Sequence, residues 1–481
     1  MTYKIRVVAI ADNGQEQVHD LPCLQRTGLT PETIGLSLAE SKAILRDIQQ
    51  IVVEHQTAWW MEACRQCPVC SQPRHSKGHH ALSVRTVFGK ITLHSLRLQH
   101  CDCQPHETNT FSPLAEVLPE RTTPELLFLE TKWSSLMSYG LTAELLEEVL
   151  PMDSPLHPST IREHVCQVAE RLEEELGDEQ FCFIEGCQRD WTHLPQPDGP
   201  LTVGIDGDYI RGRNKEGCFE VIAGKSLLSF RRERQGEETL SSKCFAWVQT
   251  YDEKPKRRLF EALRSQGMQM NQQIDFLSDG GEDVRNVQLY LNPEAEHLLD
   301  WFHVTMRLTV LTQMGKGVPE KIDVGGEPYE LRSPVLTQLE SIKWYLWHGN
   351  VFQALDRLQD LEMDLDAAAF DSKNETLRKL LKGVEELHTY VECNQNFIPN
   401  YGERYRNGER IASGFVESAV NQVMSKRMSK RQQMQWTQRG AHLLLQTRTK
   451  VLNNELDEVF RRWYPKFRPQ PQEREAERKA A

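Results

Sequence analysis

Four short stretches hold side chains suited to metal or phosphoryl chemistry. LTVGIDGDYI, residues 201–210, closes an apolar, β-branched run on Asp206 and Asp208 around a glycine. Asp-Gly is a strong turn pair, so a plain turn is one explanation. A metal ligand at a strand end is the other. IDFLSDGGEDV ends the same way, on Asp279 followed by two glycines, and Glu417 in SGFVESAVNQV sits at the start of a helical pattern. Two strand-end aspartates and one helical glutamate can converge at one edge of a sheet. Such oxygen ligands suit two Mg2+ or Mn2+ ions, which activate a water or hydroxyl and steady the leaving oxygen in phosphoryl transfer. Without a cation, carboxylates packed that closely repel one another. Asp208, Glu282 and Asp283 compete for the ligand role within each cluster. A glutamate in a first helical turn also has a plain explanation, because it complements the helix dipole. In Asp300-Trp301-Phe302-His303, Asp300 reads as a helix N-cap and the aromatic pair as core.

Cysteines form a separate set. The chain has 12, and five of them lie in CRQCPVC (from Cys64) and CDC (to Cys103). Between the two groups, Ser83–Phe88 and Lys90–Leu98 alternate apolar and polar around Gly89, the pattern of a hairpin. Cysteines on a turn, a hairpin, then more cysteines is the layout of a zinc ribbon, in which four thiolates hold Zn2+ in a closed tetrahedral site. Cys67, Cys70, Cys101 and Cys103 are the expected ligands, with Cys64 as a substitute within the first pair and His100 as a further donor.

These residues need elements to position them. Residues 1–63 mix a strand with an amphipathic helix, and 64–110 form the zinc-ribbon-like module. Residues 120–178 read as a small helical, helix-turn-helix-like domain whose last helix is capped by Ser159 or Thr160, with Glu163 completing a capping box. Arg162 and His164 are its base-reading candidates. From 198 to 310, three successive strands and then alternating helices and strands predict a mixed α/β sheet. Residues 311–400 read as helical, with aromatic anchors at Trp344, Tyr345 and Trp347; 401–462 hold the Glu417 helix; 463–481 read as a disordered tail.

The 481 residues carry a net charge of −12, which taken alone argues against nucleic-acid binding. The distribution says otherwise. Arg404, Arg406 and Arg410 crowd a turn-rich loop, and Lys426, Arg427, Lys430 and Arg431 follow Glu417 on what reads as the same helix. Cations placed there would lie along a phosphate backbone. Trp436 reads as core rather than as a base-stacking residue. No stretch has the 18 or so apolar residues that span a bilayer, and the first residues lack a signal-peptide pattern. A cytoplasmic protein is the expectation, with no membrane partner.

GIDGDYI, FLSDGGED, LLDWFHV, SGFVESAVNQ and MQWTQRGAHLLLQTR together resemble the DDE transposases of bacterial insertion sequences, most closely the ISKra group. The resemblance covers residues from about 198 to 450. It implies a multidomain α/β protein with a ribonuclease H-like mixed sheet, an all-helical insertion between Asp279 and Glu417, and DNA-binding modules upstream. It implies Asp206, Asp279 and Glu417 as the catalytic, Mg2+- or Mn2+-binding residues, with His303 near the scissile phosphate. Implied partners are double-stranded DNA, as terminal inverted repeats and target, and further copies of the chain in a dimer or larger synaptic assembly on the nucleoid. A non-transposing nuclease of the same fold, or a zinc-containing DNA-binding regulator with an inactive catalytic domain, are the alternatives.

Overall fold

The computed structural model describes all residues except 12–13, 104–108, 153–154, 198, 214–216, 229–241, 325–326, 371–373, 429–433 and 469–481. The chain divides into two units, Met1–Val168 with Asn454–Ala481, and Ala169–Asn453.

In the first unit, β1 (Arg6–Ile10) and β2 (Glu16–Asp20) form an antiparallel ribbon. A reciprocal capping box of Ser37 and Glu40 then starts α1 (Leu38–Ala63). β3 (Ser76–Thr86) and β4 (Gly89–Gln99) pair as the expected hairpin, Thr86 opposite Gly89. Gly89 takes φ +115° to close that turn. β5 (Thr110–Phe111) adds to the outer edge of β4. Helices α2 (Pro124–Leu136) and α3 (Tyr139–Val149) follow, and then α4 (Pro158–Glu175), whose residues from Ala169 on belong to the second unit. α4 starts one residue before the expected caps. The His157 ring nitrogen accepts from the Ser159 amide at 3.3 Å, and Pro158 supplies the first helical φ.

The second unit is built on one mixed sheet. β6 (Leu201–Arg211), β7 (Cys218–Leu227) and β8 (Ser242–Val248) are antiparallel neighbours. α5 (Pro255–Arg264) leads to β9 (Ile274–Ser278), which lies parallel to β6. α6 (Glu282–Gln288) leads to β10 (Ala295–Leu299), parallel to β9. The order across the sheet is β8-β7-β6-β9-β10. The mixed α/β sheet expected from the strand pattern is therefore present. Its core includes Val203, Ile205 and Phe276 against Leu259 and Leu263 of α5 and Val284 and Val287 of α6.

β6 departs from expectation. It does not end at the aspartates but continues to Arg211, with Asp206 opposite Ala223 of β7. Antiparallel pairing with β7 satisfies the backbone beyond the glycine, so the Asp-Gly pair makes no turn. Only the parallel pairing with β9 stops there, at Gly204 opposite Leu277.

After β10 come α7 (Trp301–Gly317), α8 (Arg332–Trp347), α9 (Val351–Phe370) and α10 (Glu375–Cys393), which share one apolar core. The segment is not all-helical. Lys321–Val324 and Glu327–Glu330 pair as a small antiparallel hairpin between α7 and α8. Gly325-Gly326 between two short strand-like runs was the sequence signal for it. Of the expected anchors, Trp347 packs on Trp301, ring centroids 5.1 Å apart, while Trp344 is exposed.

α11 (Tyr401–Arg406), α12 (Gly414–Val420) and α13 (Gln438–Leu452) complete this unit. α14 (Leu456–Trp463) belongs to the first unit, where Phe460 meets Phe128 of α2 at 5.3 Å. The region expected to be a tail begins with packed residues: Phe467 is buried and Arg468 pairs with Glu125 at 2.9 Å. Residues 469–481 lie outside the described residues. Among the described residues, no helix is long and apolar enough to cross a membrane.

Candidate functional site

Parallel register brings Asp206 and Asp279 side by side. Leu277 pairs with Gly204; Asp206 follows two residues on within β6, and Asp279 two residues on, just past the end of β9, so both lie at the same end of adjacent chains. Adjacent strands lie about 4.8 Å apart. Asp206 shares its face of β6 with Gly204 and Asp208, because side chains alternate. That face receives α12. A Cβ on Gly204 would come within 1.9 Å of Val416 Cγ2 and 2.9 Å of Phe415 Cζ. The glycine is the space into which the Glu417 helix settles. Gly204→Ala is expected to lower stability by about 1–3 kcal/mol through overpacking. Urea denaturation checks this, and an unchanged midpoint would refute the close packing.

Asp300 ties the pieces together. It is fully buried and caps α7, accepting from the Phe302 amide at 2.9 Å. It also accepts from the Ser413 amide at 3.0 Å and from the Ser413 hydroxyl. Ser413 is the N-cap of α12, so one carboxylate fixes the start of two helices. His303, one turn into α7, brings Nδ1 to 3.1 Å from Asp300 Oδ2. The insertion helps to hold the aspartate loop, since the Tyr390 hydroxyl donates to the Asp279 carbonyl at 3.0 Å.

The electrostatics follow from this crowding. Burial pushes the Asp206 carboxyl above its ordinary pKa; His303 pulls the other way, while Asp279 and Asp300 add to the rise. Burial disfavours a charged His303, yet Asp300 first, then Asp206 and Asp279, hold its pKa above the ordinary value. The result is a ring whose pKa is raised by three nearby aspartates.

Glu417 is exposed on α12. The three carboxylates do not form one tight cluster: their ligand oxygens are not all within 4.8 Å of one another. Asp208 accepts from the Tyr209 amide at 2.7 Å, and Glu282 is exposed at the start of α6. The Asp283 side chain lies outside the described residues.

The basic residues are distributed differently from the sequence expectation. Arg404 and Arg406 sit on α11 rather than in a loop. Arg404 is engaged by Glu296 at 2.8 Å and Glu409 at 3.4 Å. Arg410 places its guanidinium 5.5 Å from the Phe415 ring centroid. Arg406 and Lys426 are exposed. Arg427 is buried and stacks 5.2 Å from the ring of Trp436, which is itself buried. Lys426 and Arg427 are not on an unbroken extension of α12, because a π turn at Asn421–Ser425 intervenes. Buried Arg448 of α13 donates to the Val423 carbonyl at 2.6 Å and to that of Gln422, stabilising the turn. Lys430 and Arg431 lie outside the described residues.

In the first unit, Cys67, Cys70, Cys101 and Cys103 come together with all four sulfurs within 4.8 Å. Cys67 and Cys103 are 3.5 Å apart, Cys70 and Cys101 3.3 Å. The Cys70 and Val69 amides lead in pulling the Cys67 thiol down to about 6. Cys64 and His100 are outside the cluster; His100 stacks on Phe111 at 4.7 Å. His164 turns inward to the buried Glu130, Nδ1 to Oε2 2.5 Å, and Arg162 faces outward.

Sequence reasoning missed one polar cluster, Glu173, Asp252 and His442. Arg258 fills its centre, 2.8 Å from each carboxylate and 3.3 Å from the His442 ring. A guanidinium already supplies the cation there. The signal was faint: one basic residue among four in PKRRLFEALR, with Glu173 and His442 far away in sequence. No family model matches the chain, and no curated protein matches it.

Proposed function

We propose that the Ala169–Asn453 unit is a divalent-metal-dependent DNA strand transferase, a DDE transposase with a ribonuclease H-like core. The observation that carries the reading is the placement of Asp206 on β6 and of Asp279 just past the end of the adjacent parallel strand β9, with the Glu417 helix seated at Gly204 on the same face of β6 as Asp206. The donor set is all carboxylate oxygen, which suits Mg2+ or Mn2+. Asp206, Asp279 and Glu417 are the residues that would hold such ions. When bound, a pair of such ions supplies Lewis-acid activation of the nucleophile and neutralises the leaving oxygen. The chain's own residues do the rest. His303 offers a ring N–H to a non-bridging phosphate oxygen. Asp300 orients His303 and keeps α7 and α12 in register. Exposed Arg406 and Lys426 contact the DNA backbone.

The substrates are transposon terminal inverted repeats and target DNA, handled by two or more copies of the chain. The test is a labelled duplex carrying the terminal repeat, incubated with Mg2+ or Mn2+ and a target plasmid. Metal-dependent cutting at the repeat end followed by joining supports the proposal. Cutting without joining favours a nuclease of the same fold. Binding without cutting favours the regulator.

The four cysteines hold structural Zn2+. A tetrahedral ion with Zn–S bonds of about 2.3 Å sets sulfurs about 3.8 Å apart, near the separations seen. Elemental analysis is expected to find one zinc per chain, lost in Cys70→Ser together with resistance of the 64–111 region to protease. Full zinc occupancy in that variant would remove the assignment.

A further inference from the structure

α7 leaves the carboxylate site carrying His303, and one turn later it carries Arg307. Positions four apart share a helix face, and helical side chains lean back over the preceding turn. Arg307 therefore reaches towards His303. It is exposed, and its guanidinium lies 4.2 Å from the centroid of the Tyr390 ring of α10. Tyr390 is the residue whose hydroxyl donates to the Asp279 carbonyl at 3.0 Å. One ring thus separates a guanidinium from the backbone of a candidate metal ligand.

Such a stack at an exposed place is worth about 0.5–1 kcal/mol, and bolting α7 to α10 would be reason enough for it. Two features single Arg307 out. Among the described residues no carboxylate is in ion-pair contact with it, whereas Arg404 is engaged by Glu296 and Glu409, and Arg427 is buried. The stack also holds the guanidinium on the face of α7 that carries His303. A planar fork with a ring fixed behind it gives up less freedom when it donates two hydrogen bonds to a phosphate.

We propose that Arg307 holds a phosphodiester of the bound strand, next to the one that His303 meets, and that Tyr390 is the residue that positions it. The inference rests on reading the Asp206–Asp279 site as one that acts on DNA. Four residues of α7 separate the two side chains by about 6 Å of rise, so both can hold neighbouring phosphates of one strand. The contact is to backbone and carries no base preference.

The test is the affinity of the full chain for a labelled duplex of about 30 base pairs and arbitrary sequence, by fluorescence anisotropy, between about 50 and 200 mM salt. Arg307→Gln is expected to bind roughly five- to tenfold more weakly at the low-salt end. The slope of log affinity against log salt should fall by about 0.9, one phosphate fewer. Arg307→Lys keeps the charge and should return the slope. Melting temperatures should stay at the wild-type value, because the side chain is exposed. Wild-type affinity and slope in Arg307→Gln overturn the proposal, and do so even where the wild type cuts DNA with metal. Weaker binding at an unchanged slope also overturns it, since only packing was then lost. A chain that never cuts but shows the slope change keeps the phosphate contact and loses the strand-transfer reading. A wild type with no duplex affinity overturns both.

Discussion

Asp206→Asn and Asp279→Asn are each expected to slow metal-dependent strand cleavage by at least about a thousandfold, some 4 kcal/mol of lost transition-state stabilisation, while duplex binding persists. An amide keeps the shape of the carboxylate but lacks the charge that holds a divalent cation. The Asp206 result is separable from folding. Burial first, then Asp279 and Asp300, keep its pKa raised, so the ionised carboxylate is unfavourable in the folded chain. Neutral asparagine relieves that repulsion, and Asp206→Asn should melt no lower than wild type. Glu417→Gln is expected to lose cleavage similarly without loss of stability, because the side chain is exposed. Single-turnover cleavage beside thermal melting checks all three. A variant that still cuts is misassigned, and its neighbour, Asp208 for the first cluster or Glu282 and Asp283 for the second, takes the role.

Arg258→Met is expected to destabilise the Ala169–Asn453 unit by about 3–5 kcal/mol, the cost of stranding buried charge. Arg258 side-chain exposure is 8%; Asp252 and Glu173 beside it are 2% and 23% exposed. Removing the guanidinium takes the charged donor from both carboxylates and from the Gln446 amide oxygen, 2.7 Å away, and leaves them only the Lys254 amide and His442. The same cluster sets a pH dependence. Burial alone would raise the Glu173 pKa, but hydrogen bonds from His442 and Arg258 bring it from 4.5 to about 2. A depressed folded-state pKa means stability present above about 4.5 and lost progressively as pH falls towards 2. The loss is on the order of 3 kcal/mol. Urea midpoints measured between those pH values should fall for wild type and flatten for Glu173→Gln. Equal slopes would show that Glu173 is not what Arg258 holds.

The residues with chemistry were legible because each combines an uncommon side chain with a local pattern. The cysteine groups flank an alternating hairpin, and the two aspartates follow β-branched runs of the right length. Asp300 was legible as a cap from local pattern, and it does cap α7. Its second task, holding Ser413 113 positions away, was not legible, since no local pattern reports a long-range hydrogen bond. The basic residues misled for a related reason. Composition counts charges but not partners, and Arg404 is consumed by Glu296 and Glu409 while Arg427 is buried against Trp436.

By itself the sequence determined the mixed strands and helices of the sheet in the second unit, which four cysteines come together, and which carboxylates are candidates. Periodicity, turn pairs and short-range spacing are properties of neighbours along the chain, and they survive without the fold. Tertiary structure decided the rest. It extended β6 past its aspartates because β7 was there to pair with them, and it made Gly204 a seat for α12. It also placed Arg258 inside a carboxylate pair and stacked Arg307 on Tyr390. Each of these depends on which distant surface arrives alongside, which packing fixes and local propensity does not.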